Sequence, residues 1–138
     1  MKKRYMLLWI PVAATALLLL LYALSFQKVR LEAGCAGAIV YRYDGVSFEE
    51  PLTREETAAA AQIIGGKKLA PQGMTGIPSC GFSVDVAIVL GERRFLIARD
   101  TCCIMQDGET QRFFELSQEE RRILDEIFAA HGGIFPCI

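Results

Sequence analysis

Asparagine is absent from the 138 residues, and histidine and tryptophan occur once each, as His131 and Trp9. Without asparagine there is no N-glycosylation sequon. A single imidazole excludes the multi-histidine metal sets. Charge is missing from one whole stretch: Tyr5 to Gln27 is uncharged and contains five consecutive leucines, Leu17 to Leu21. Ahead of it stand Lys2, Lys3 and Arg4 with no acid. Residues 27–138 hold twelve basic and sixteen acidic side chains, a difference of −4. A basic, apolar head on a mildly acidic body excludes an ordinary cytosolic enzyme and a polybasic nucleic-acid binder, and no nucleic-acid partner is expected.

What the head contains is enough for a membrane helix. At about 1.5 Å per residue, roughly 20 apolar residues cross a bilayer core. Trp9 and Tyr22 lie near the two ends, as interfacial aromatics do. The expectation is a cytoplasmic basic n-region at 1–4 and a transmembrane signal-anchor helix at 5–27. A tether follows at 28–34, and then an extracytoplasmic domain at 35–138. The chain is then a single-pass cell-membrane protein with its N-terminus inside. Lys28 and Arg30 weaken the charge asymmetry. Two cleaved alternatives stand beside the anchor. Ala23-Leu24-Ser25 suits a signal-peptidase site, and Glu32-Ala33-Gly34-Cys35 resembles a bacterial lipoprotein signal, although Glu32 replaces its aliphatic residue.

The body reads as α+β: a meander of about three antiparallel strands, one N-terminal strand, and two covering helices. Ala38–Tyr43 is the first strand, stopped by Asp44-Gly45. Thr53-Arg54-Glu55-Glu56 and Ser117-Gln118-Glu119-Glu120 are capping boxes that open the helices. Gly65-Gly66 and Gly132-Gly133 close them. Lys67 to Ser79 is rich in Gly and Pro and is a candidate binding loop.

Alternation of Phe82, Val84, Val86, Ile88 and Leu90 marks a half-buried strand. Gly91-Glu92 suits a type II′ turn, pairing Ile88 with Phe95 and Val86 with Ile97. Asp107-Gly108 suits a two-residue type I′ turn, which puts Phe114 and Leu116 on the same face but sets Asp100 opposite Glu115. With Leu124, Ile127 and Phe128, these residues form the expected core. Ile123 extends the helical stripe.

Five cysteines carry the chemistry: Cys35, Cys80, Cys102, Cys103 and Cys137. Outside the membrane such residues pair. The Gly91-Glu92 register sets Cys80 opposite Cys103, or opposite Cys102 if a bulge intervenes. Cys137 is available to the remaining sulfur, and Cys35 is the expected odd thiol. Cys80, Cys102, Cys103 and Cys137 are thus the disulfide candidates.

With no C-x-x-C, no P-loop and no G-x-S-x-G elbow, no catalytic, cofactor-binding or metal residues are expected. His131 reads as a helix C-cap, and Arg93-Arg94 and Arg121-Arg122 as solvated charge. The functional expectation is a non-catalytic, membrane-tethered interaction or inhibitor-like module with a protein partner. The alternative is a thiol-redox or metal-binding module built on Cys80, Cys102, Cys103 and Cys137.

Overall fold

The computed structural model describes residues 2–25, 27–43, 45–70 and 81–132. Within them the chain is α+β. Helix α1 (Lys2–Ser25) precedes β1 (Gly37–Tyr43), β2 (Val46–Pro51), α2 (Arg54–Ile64), β3 (Phe82–Leu90), β4 (Arg93–Ala98), β5 (Ile104–Asp107), β6 (Phe113–Glu115) and α3 (Gln118–Ala130). The strands form one open antiparallel sheet in the order β2-β1-β3-β4-β5-β6.

Helix α1 runs for 24 residues with Pro11 inside it. Its side chains are described for residues 10–23, and every one of them is exposed. Leu18 is 66% exposed and Leu21 is 54% exposed, so the leucine run is not buried against the body. Among the described residues no helix is long and apolar enough to cross a membrane.

The chain after α1 is stitched into the body rather than hanging from it. Val29 N donates to Lys67 O and Leu69 N to Gln27 O, both at 2.8 Å, and these bonds flank an isolated antiparallel bridge between Lys28 and Lys68. Val29 and Leu69, each 2% exposed, enter the core. The stretch expected to act as a tether therefore contributes a core side chain at its start.

One face of the sheet is the core. Ile39 pairs with Ile88, which pairs with Phe95, and Ile97, Met105 and Phe114 form the next row. All six are fully buried or nearly so, together with Ile64 of α2 and Leu124 and Phe128 of α3. Phe95 and Phe114 meet edge to face, with ring centroids 6.1 Å apart. Both capping boxes are closed by reciprocal bonds, Thr53 with Glu56 and Ser117 with Glu120. The C-cap of α3 is His131.

The first turn agrees with its sequence. Leu90 pairs with Arg93, and φ is positive at Gly91 (+64°) but not at Glu92, the combination that type II′ demands. The other register expectations need correction. Strand β3 is bulged between Phe82 and Ala87, so that Phe82 pairs with Ala98. Ser83 Oγ accepts from the amides of Asp85 and Val86 and is buried, while Val84 is 52% exposed and Phe82 only half-buried. A polar side chain that satisfies bulge amides displaces the apolar alternation.

The strand expected to follow Arg93 without a break instead stops at Ala98. It turns through residues 99–103 and returns as β5, so Asp100 and Glu115 never face each other. Asp107-Gly108 does not form a two-residue turn. Asp107 Oδ2 accepts from the amide and hydroxyl of Thr110, Gln111 N returns to Asp107 O, and Gln111 sits at φ +59°. The shift moves the register by an even number, so Phe114 stays on the core face. The sheet has six strands rather than four. Strand β2, with its exposed residues and terminal Pro51, carried too weak a pattern, although the two-residue link at Asp44-Gly45 was its signal.

Candidate functional site

The β4–β5 connection, Arg99 to Cys103, gathers the most chemistry. Asp100 Oδ1 accepts the Cys102 amide at 2.8 Å, a local turn that short carboxylates favour. The buried Arg121 of α3 reaches across to it. Its Nη2 donates to Asp100 O at 2.9 Å, its Nη1 donates to Cys102 O, and its Nε donates to Asp125 Oδ1 at 2.8 Å. Arg121 is 5% exposed. The planar fork thus fixes two carbonyls of the loop while one carboxylate compensates its charge. The expectation of solvated charge fails at Arg121 and holds at Arg122, which is exposed and paired with Glu119 and Glu126. The overlooked signal was spacing: Arg121 stands three residues before Leu124, on the apolar stripe.

Cys102 is disulfide-bonded, and no two described cysteines are bonded to each other. Cys103 is a free, half-buried thiol that packs against the core and lines a cleft of about 600 Å³ with Thr101, Arg121 and Asp125. Cys103 is therefore not bonded to Cys80, while the bulge in β3 sets Phe82 opposite Ala98; the alternative expected with a bulge, Cys80 with Cys102, involves a residue outside the described ones. Cys35 is also a free, half-buried thiol, next to the Gly91 turn. Cys80, Cys137 and residues 71–79 of the candidate binding loop lie outside the described residues.

A second polar cluster ties the hairpin tip to the chain leaving α1. Asp107 is fully buried, and its Oδ2 accepts from Arg93 Nη2 at 2.9 Å. Arg93 Nη1 donates to Arg30 O at 3.0 Å, and the guanidinium lies 5.5 Å from the Phe95 ring centroid. Among the described residues Arg93 Nε and Asp107 Oδ1 are buried without hydrogen-bond partners.

A third cluster joins the helices. His131 Nε2 lies 3.0 Å from Glu56 Oε2, and the Tyr41 hydroxyl donates to His131 O at 2.7 Å. The backbone amide of Thr53 and then His131 hold the Glu56 carboxyl below its ordinary range. Burial alone would raise Glu120, yet Lys67 and Ser117 bring it below that range as well. Lys67 Nζ is 2.6 Å from Glu120 Oε2.

Among the described residues no group of three or more His, Cys, Asp or Glu side chains is placed to hold a metal ion. No protein-family model, no curated protein and no solved structure matches this chain.

The outer edge of β2 completes the inventory. All six residues of that strand are exposed, Val46 by 53% and Phe48 by 54%, and among the described residues it pairs only with β1. Such an edge offers unpaired amides and carbonyls to an added strand.

Proposed function

We propose that this chain is a single-pass membrane protein, N-terminus inside, whose extracytoplasmic α+β domain is a non-catalytic protein-interaction or inhibitor-like module. The anchor is α1. It is supported by the 23 uncharged residues behind Lys2-Lys3-Arg4 and by the exposure of the leucines of α1. A row of leucines left in water would be costly, and a bilayer removes the cost.

The observation that carries the interaction reading is the open edge of β2. An extended partner segment adding there would take main-chain hydrogen bonds from the edge and cover Val46 and Phe48. A photo-crosslinking residue at Phe48 in the full-length chain tests this. The expected result is a discrete adduct from position 48 and none from Arg122, on the exposed face of α3. Equal labelling at both positions would contradict the edge reading.

A disulfide between Cys102 and Cys80 is part of the same proposal. Gly81 O accepts from Arg99 N at 3.3 Å; Cys80 precedes Gly81 in the sequence, and Cys102 follows Arg99 by three residues. The bond would lock the β3–β4 hairpin and suits an oxidising compartment.

The thiol-redox alternative keeps one observation in its favour, the free Cys103 next to disulfide-bonded Cys102. Thiol counting on the intact chain separates the two. Stable, non-exchanging thiols at Cys35 and Cys103 support the interaction module, and rapid thiol–disulfide exchange at Cys103 supports the alternative.

A further inference from the structure

Lys28 and Lys68 face each other in an arrangement that costs the isolated chain energy. The bonds Val29 N to Lys67 O and Leu69 N to Gln27 O flank the pair, so Lys28 and Lys68 are a non-hydrogen-bonded antiparallel pair. Pairs of that kind have the closest side chains, with Cα atoms about 4.5 Å apart. Like charges directly opposite are destabilising. The flanking residues Val29 and Leu69 point inward to the core, so both ammonium stems leave on the outer face, and both lysines are exposed.

Arg30, two residues beyond Lys28, is exposed as well. Among the described residues no carboxylate is within ion-pair distance of Lys28, Arg30 or Lys68. Lys67, Arg93, Arg121 and Arg122, by contrast, all have one. The acids nearest in the chain or the cleft are Glu32, exposed and unpaired, and Glu109, which lies 3.7 Å from Arg93 Nε.

The position of this cluster names its counter-charge. Lys28 follows the last residue of α1 by three positions. A cleft of about 780 Å³ opens there, lined by Ala23 from α1 and by Lys28, Arg30, Arg93, Glu109 and Thr110. We infer that Lys28, Lys68 and Arg30 form a clamp for the headgroup of an anionic phospholipid in the leaflet at the C-terminal end of α1. The inference rests on the anchor proposed above.

A phosphodiester between the two ammonium groups converts a repulsive pair into two attractive contacts. Juxtamembrane cations draw anionic lipid in this way. The clamp also accounts for Lys28 and Arg30 on the outer flank, where they oppose the charge asymmetry that sets topology. With the lipid bound, the body is held close to the bilayer surface through the Val29 stitch.

The test uses the full-length chain in nanodiscs of equal phosphatidylglycerol and phosphatidylcholine, with retained lipid read by native mass spectrometry. Phosphatidylglycerol should be enriched on the wild type. K28Q/K68Q should lower that enrichment roughly tenfold, R30Q by less, and R122Q not at all. In lipid-free detergent K28Q/K68Q should melt no lower than the wild type, because the like-charge pair is gone; R30Q serves as the readout should the double variant melt lower.

Lipid ratios equal to the bulk for the wild type would overturn the clamp, and so would an equal loss in R122Q. Displacement of the lipid by millimolar inorganic phosphate would assign the cluster to free phosphate and overturn the lipid assignment. A carbonate wash of the same protein in vesicles separates the two readings. Carbonate-resistant chain with bulk lipid ratios defeats the clamp alone, and release of the chain defeats clamp and anchor together.

Discussion

Arg121 donates to the carbonyl oxygen of Cys102, so the last helix holds the loop that carries the disulfide sulfur. The same guanidinium takes Asp100 O and Asp125 Oδ1. One side chain therefore ties the loop to the helix. Truncating this side chain leaves two loop carbonyls and a carboxylate without their donor. Arg121→Ala should cost about 3 kcal/mol by denaturant unfolding, and Arg121→Lys should recover only part because it lacks the fork. Arg122→Ala should leave the melting temperature unchanged. Equal, small effects at both positions would contradict the strut.

The disulfide can be mapped directly. Under non-reducing conditions a Cys80–Cys102 peptide is expected, with Cys35 and Cys103 alkylated as free thiols. The enclosed segment of about 22 residues makes the bond worth approximately 3 kcal/mol in the chain-entropy model. A Cys102–Cys137 peptide would instead place the C-terminal residues on the β4–β5 loop.

Acid should destabilise the body in a defined window. Glu56 and Glu120 both have folded values below the ordinary carboxylate value, Glu56 through Thr53 and His131, Glu120 through Lys67 and Ser117 despite burial. A depressed folded value means the stabilisation is full above the unfolded value and is lost as pH falls through the folded one. Thermal melts should therefore be flat near neutrality and fall below about pH 4.5. Glu56→Gln should lower the neutral plateau and make the acid slope shallower. An unchanged slope would contradict the role of Glu56.

Much of the fold was legible in the sequence, and the failures share a cause. Capping boxes, the Gly91-Glu92 turn and the stripe of Leu124, Ile127 and Phe128 are local signals, and the structure uses them as read. The alternation of β3 and the two-residue turn at Asp107-Gly108 fail where Ser83 and Asp107 accept from nearby amides, bulging β3 and widening the second turn. Arg121 looked like surface charge because two of its three acceptors are loop carbonyls distant in sequence, those of Asp100 and Cys102. Side-chain-to-backbone bonds of this kind leave no periodicity to detect.

The hairpin offers a compact check of the packing. Gly91 has φ +64°, and an added Cβ would meet the Cys35 Cβ at 3.3 Å. Gly91→Ala should cost about 1–2 kcal/mol from backbone strain, while Phe128→Ala should cost about 3–5 kcal/mol from the cavity it leaves. Chemical denaturation of the two variants decides both figures.

The central claim is that α1 holds the body outside a membrane, and one experiment addresses it most directly. Full-length chain in sealed cell-derived vesicles of right-side-out orientation is washed with carbonate and then treated with protease. The account predicts that the chain stays in the pellet and that a C-terminal epitope is lost without detergent. Release of the chain into the supernatant would contradict it, and so would an epitope that is protected until the vesicles are opened.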